Sequence, residues 1–84
     1  MTHRDSPEPY PGTLAELAAE LCDLRYDSLA EFLSLLAGKL AGDAEKDASR
    51  GRHRHAATLQ DAARAVDSSA GAVRTAWQIC EPHM

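Results

Sequence analysis

Leu59-Gln-Asp-Ala-Ala-Arg-Ala-Val-Asp-Ser-Ser-Ala-Gly-Ala-Val-Arg-Thr-Ala-Trp-Gln-Ile-Cys80 decides the fold class. Within it Leu59, Ala63, Val66, Ala70, Val73, Trp77 and Cys80 recur at alternating spacings of four and three. That spacing keeps side chains on one narrow stripe of an α-helix, whereas a strand would need alternation at every second residue. The seam continues for three heptads without a break. The C-terminal half is therefore expected to be a long helix, from about Arg54 to Ile79 or Cys80, lying lengthwise against another helix. At ~1.5 Å per residue it would span ~39 Å. Pro82 ends it.

Two shorter helices are expected upstream. Thr13-Leu-Ala-Glu16 is a capping-box pattern, in which hydroxyl and carboxylate each satisfy a backbone N–H left over at a helix start. Leu14, Leu17, Leu21 and Leu24 follow on one stripe, to about Arg25. Ser28-Leu-Ala-Glu31 reads as a second capping box, followed by Leu29, Leu33, Leu36 and Leu40, with Phe32 and Leu35 widening the stripe. Gly42 is the expected stop, because glycine takes the positive φ of a helix C-terminus without a Cβ clash. Residues 43–52 are expected to form a short helical turn broken near Gly51.

The resulting expectation is an all-α domain over residues 13–80. A Pro-rich extended lead-in over 1–12 precedes it, and a short tail over 81–84 follows. Eighty-four residues suit one domain, and four aromatic residues leave its core to Leu and closely packed Ala. The third helix is about twice the expected length of the second, and its seam is rich in small residues. Both features predict a homodimer completing a four-helix core, because a thin core gains by burying a second copy.

Charge is distributed unevenly. Residues 1–47 carry ten acids and four Lys/Arg, whereas residues 48–84 carry three acids and five Lys/Arg, within a net charge of −4. An acidic balance argues against bulk electrostatic binding of duplex nucleic acid. Arg50, Arg52, His53, Arg54 and His55 form a basic cluster suited to phosphate or carboxylate. With Trp77 they are the expected partner-binding residues. No catalytic constellation, phosphate-binding glycine loop or cofactor motif is present, so the expected function is non-enzymatic: an adaptor, inhibitor or regulator that binds another protein. No run approaches the ~18 apolar residues of a membrane span. Together with a polar N-terminus this gives the expectation of a soluble cytoplasmic protein whose two cysteines, Cys22 and Cys80, stay reduced.

Two alternatives have local support. Residues 62–77, Ala62-Ala-Arg-Ala-Val-Asp-Ser-Ser-Ala-Gly-Ala-Val-Arg-Thr-Ala-Trp77, resemble the helix-turn-helix of response-regulator and sigma-factor DNA-binding domains. The resemblance implies a turn at Asp67–Ser68 and a recognition helix presenting Ser69, Arg74 and Thr75 to DNA. Asp67 stands where that pattern has glycine, and Ser68 where it has an apolar residue. Cys80 and His83 have the spacing of a metal-ligand pair, although a tetrahedral zinc site needs four donors.

Overall fold

The computed structural model describes residues 10–83. Most of the expected lead-in, residues 1–9, lies outside the described residues, as does Met84; Tyr10, Pro11 and Gly12 are not helical. Three helices follow in order: α1 Leu14–Cys22, α2 Tyr26–Ser49 and α3 His53–Cys80, with a 3-10 turn at Glu81–His83. Among the described residues there is no strand. The all-α, three-helix expectation holds at this level, with α3 the longest helix.

The first capping box forms as read. The Glu16 backbone N–H donates to Thr13 Oγ1, and the Thr13 N–H donates to Glu16 Oε1, each at 3.1 Å. The second does not. Helix α2 starts earlier, at Tyr26, because the Asp27 carboxylate accepts the Ser28 N–H at 2.9 Å and so satisfies a donor of the first turn. Nor does Gly42 end α2, which continues seven residues further to Ser49. The Lys39–Asp43 pair, at 2.6 Å and four residues apart, spans the glycine, and the helical contact of Ala44 carries the chain through it. Glycine in a helix interior costs about 1 kcal/mol, and packing offsets that.

Gly51 supplies the stop, at φ 80°, the one positive φ among the described residues. The Arg52 N–H donates to the Asp47 carbonyl at 2.8 Å, and the Gly51 N–H to the Ala48 carbonyl at 3.0 Å. These are the two hydrogen bonds of a Schellman C-cap. The three-residue link Arg50–Arg52 then folds α3 back on α2. Contacts along the pair confirm an antiparallel hairpin. His55 meets Asp47 near the turn, Arg74 reaches Ser34, and the Arg25 guanidinium lies 5.3 Å from the Trp77 ring at the open end.

The hairpin is closed by alanine. Ala30, Ala37 and Ala44 on α2 and Ala56, Ala63 and Ala70 on α3 are its buried apolar residues, none more than 7% exposed. In each helix they repeat every seven residues, and they stand six, thirteen and twenty residues on either side of Arg50. An antiparallel pair folded about that link therefore brings them to the same levels as three rungs. One level further on, α2 has ended, and α3 places Trp77 there with Arg25 over its ring.

This corrects the expected contact stripe of α2. Its leucines are not the residues facing α3; the alanines are. The same correction applies to the expected seam of α3, where Ala56, Ala63 and Ala70 make the contact and Leu59, Val66 and Val73 do not. Small side chains let two helix backbones approach closely, so the larger residues of both helices are displaced to a flank. The expected length mismatch is also absent. At 24 and 28 residues, α2 and α3 span about 36 and 42 Å, and each covers most of the other. Helix α1 contributes no buried residue and has no substantial packing against the hairpin.

Candidate functional site

Where the leucines go defines the main surface feature. Leu33 and Leu40 each follow a rung alanine of α2 by three residues, and Leu59, Val66 and Val73 do the same on α3. At 3.6 residues per turn, three residues is about 60° round the helix from the alanine, in the same rotational sense. In an antiparallel pair that sense carries both sets to one side of the hairpin. Leu29 and Leu36, each one residue before an alanine, extend the same side. Leu36 is 38% exposed, and Leu29, Leu33, Leu40, Leu59, Val66 and Val73 are half-buried. No large side chain is fully buried among the described residues. One side of the hairpin is thus a continuous apolar face, and among the described residues no other helix packs substantially over it.

The opposite side is polar and built from small residues. A shallow groove there is lined by Ser34, Gly38, Gln60, Arg64 and Asp67 among others, and Arg74 donates to Ser34 Oγ at 3.3 Å. The two long faces therefore differ in chemistry.

The third residue after Ala44 is not leucine but Asp47, so the apolar face ends at the turn in a carboxylate. Asp47 is 8% exposed. Its Oδ2 lies 2.6 Å from His55 Nδ1, and its Oδ1 lies 3.5 Å from Arg52 Nη1. A buried carboxylate requires such partners, because an unpaired charge costs several kcal/mol to desolvate (about 3–5 when one partner is removed). Around this pairing lies a cleft of about 300 Å³, with Leu40 and Leu59 as its apolar part, Lys46, Arg50 and Arg52 as its cations, the His55 imidazole, and the carboxylates of Asp43 and Asp47. Among the described residues Arg50, His53 and Arg54 form no ion pair, and all three are exposed.

The expected basic cluster is therefore real as a cluster, gathered by the turn. Trp77 does not belong to it. Twenty-two residues separate it from His55 along a straight helix, about 33 Å. At its own end, Arg25 donates two hydrogen bonds to Asp27, at 2.9 and 2.7 Å, while stacking on the indole. The first of these effects, the hydrogen bond from Arg25, holds the Asp27 carboxyl below its usual range.

The helix-turn-helix implied by residues 62–77 is not formed. Helix α3 runs unbroken through Asp67 and Ser68, because Ala63 and Ala70 bracket them in one contact stripe. The hydroxyls of Ser69 and Thr75 donate back to the Ala65 and Gly71 carbonyls, at 3.0 and 3.1 Å, as on any helix surface. Arg74 is engaged with Ser34. The proposed Cys80–His83 metal pair gains no further donors: among the described residues no group of three His, Cys, Asp or Glu side chains converges. The Cys80 thiol instead lies 3.7 Å from the Trp77 carbonyl, and both cysteines are free. No described helix is long and apolar enough to cross a membrane.

Sequence reasoning missed Asp47, whose signal is its place in the seven-residue repeat at a position otherwise filled by leucine. No protein-family model matches the chain, and no curated protein or solved structure is significantly similar to it.

Proposed function

We propose that this chain is a non-enzymatic helical interaction module, an adaptor, inhibitor or regulator, and that it works as a homodimer with a four-helix core. The observation that carries this reading is the uncovered apolar face of the hairpin, Leu29, Leu33, Leu36 and Leu40 beside Leu59, Val66 and Val73. A helix buries its apolar stripe against another layer in any stable domain. Here the innermost contact holds six alanines, whose methyl groups bring about 0.8 kcal/mol each. Full burial of a Leu or Val side chain brings about 1.5–3 kcal/mol, so most of the available hydrophobic stabilisation lies on the open face.

A second copy presents the same flat face, with the same length and the same apolar chemistry. Two such faces stack into four helices around the leucines, with the alanine rungs holding each hairpin rigid. Sedimentation equilibrium at micromolar concentration tests this. The expected result is twice the chain mass of 9.1 kDa. A single species of the chain mass across that range would overturn the reading.

A further inference from the structure

We infer that the two copies lie antiparallel, and that α1 of each seats on the hairpin turn of the other; the inference rests on the self-association proposed above. Four observations converge on it. First, α1 is a capped helix whose apolar stripe packs substantially on no other helix among the described residues. Leu14 is 59% exposed, Leu17 and Leu21 share its face, and no residue of α1 is buried. Second, α1 carries Glu16 and Glu20, with Asp23 at its C-cap, and holds no Lys or Arg.

Third, the turn presents the complementary surface. The cleft there joins Leu40 and Leu59 to a charged rim whose acids, Asp43 and Asp47, are paired with Lys39 and Arg52, while the guanidinium groups of Arg50 in its wall and of Arg54 are exposed and without ion-pair partners among the described residues. Fourth, α1 cannot reach the turn of its own chain. It joins α2 at the opposite end through Asp23–Arg25, and α2 holds the two ends about 36 Å apart, whereas α1 is about 14 Å long.

Orientation then follows. In a parallel dimer the two α1 helices stand at the same end, acid beside acid, and the two arginine turns stand together at the other. Like charges brought face to face in that way oppose association. In an antiparallel dimer each acidic α1 meets an arginine turn, twice by symmetry. The leucine stripe of α1 then closes the turn end of the Leu40–Leu59 cleft, beyond the stacked hairpin faces, and its acids face Arg50 and Arg54. A two-fold axis across the middle of the apolar face, near Leu36 and Val66, generates both contacts at once.

Interchain distances by pulsed electron spin resonance test the arrangement. The labels sit at exposed positions, Cys22 and Ser49→Cys, in a Cys80→Ser background, so that labelling leaves the alanine rungs and the leucine face intact. With only position 49 labelled (Cys22→Ser), antiparallel copies place the two turns about one helix length apart, about 35–40 Å. A mixture of chains labelled singly at 22 and at 49 gives an interchain distance under about 25 Å, since α1 is shorter than that. A 49-to-49 distance below about 20 Å would overturn the orientation while leaving the dimer standing. A long distance in both samples would overturn the seating of α1. Absence of any interchain coupling, with sedimentation at the single-chain mass, would overturn this inference together with the reading beneath it.

Discussion

Replacing Ala37 with leucine is expected to destabilise the protein by about 3 kcal/mol, the upper end of what overpacking a filled site costs. Ala37 is 6% exposed at the middle rung, level with Ala63. The added isobutyl group has no space between two helix backbones whose approach is set by methyl groups. It forces α2 and α3 apart along their whole length, which loosens the neighbouring rungs. Leucine is nearly as good a helix former as alanine, so propensity contributes little to the loss. The matched control is Ala65→Leu on the exposed side of α3, with an expected change within about 0.5 kcal/mol. Urea denaturation followed by circular dichroism measures both at one protein concentration. If the contact were made by leucines instead, as hydropathy alone suggests, Ala37→Leu would be neutral or stabilising.

The second large effect concerns the face rather than the seam. Leu36→Asp is expected to separate the dimer, raising its dissociation constant by at least about 10³-fold, because the charge enters the interface twice and about 4 kcal/mol corresponds to that factor. Leu36 lies beside the middle rung on the apolar side and is 38% exposed in the single chain. Leu35→Asp supplies the contrast. Leu35 is more exposed, at 68%, yet it points away from that side, so its replacement leaves the mass unchanged. Sedimentation of the two variants distinguishes an interface from general loss of hydrophobicity. Equal loss of association in both would contradict the assignment of the face.

Much of the architecture is legible in the chain before any coordinates. The long C-terminal helix, the Thr13–Glu16 cap and the break near Gly51 each rest on local physics, and each appears in the structure, although of the 3–4 seam only Ala63 and Ala70 are buried in the helix contact. The extent of α2 is not legible in that way. Gly42 and Gly51 are equally permissive residues, and only the packing of Ala44 against α3 decides that the first stays helical and the second turns. The identity of the α2 contact is hidden for a related reason. Alanine and leucine stripes run at the same period a fraction of a turn apart, and hydropathy ranks the leucines first. What separates them is close approach, a property of two helices together, visible in the sequence only as six alanines mirrored about Arg50. The site shows the same division. Clustering of Arg50 to His55 is evident from adjacency, but the pairing of Arg52 and His55 with a buried Asp47 depends on the turn folding back. Trp77, grouped with them as a partner-binding residue, lies at the opposite end of a straight α3.

The Leu29–Leu40 and Leu59–Val73 side of the hairpin is proposed to be covered in solution. Paramagnetic relaxation of methyl resonances by a soluble gadolinium chelate tests it most directly. Strong protection of the Leu33, Leu36 and Val66 methyls is expected, with full enhancement at Leu35 and Ile79, both 68% exposed and facing outward. Equal enhancement at all five residues would contradict it.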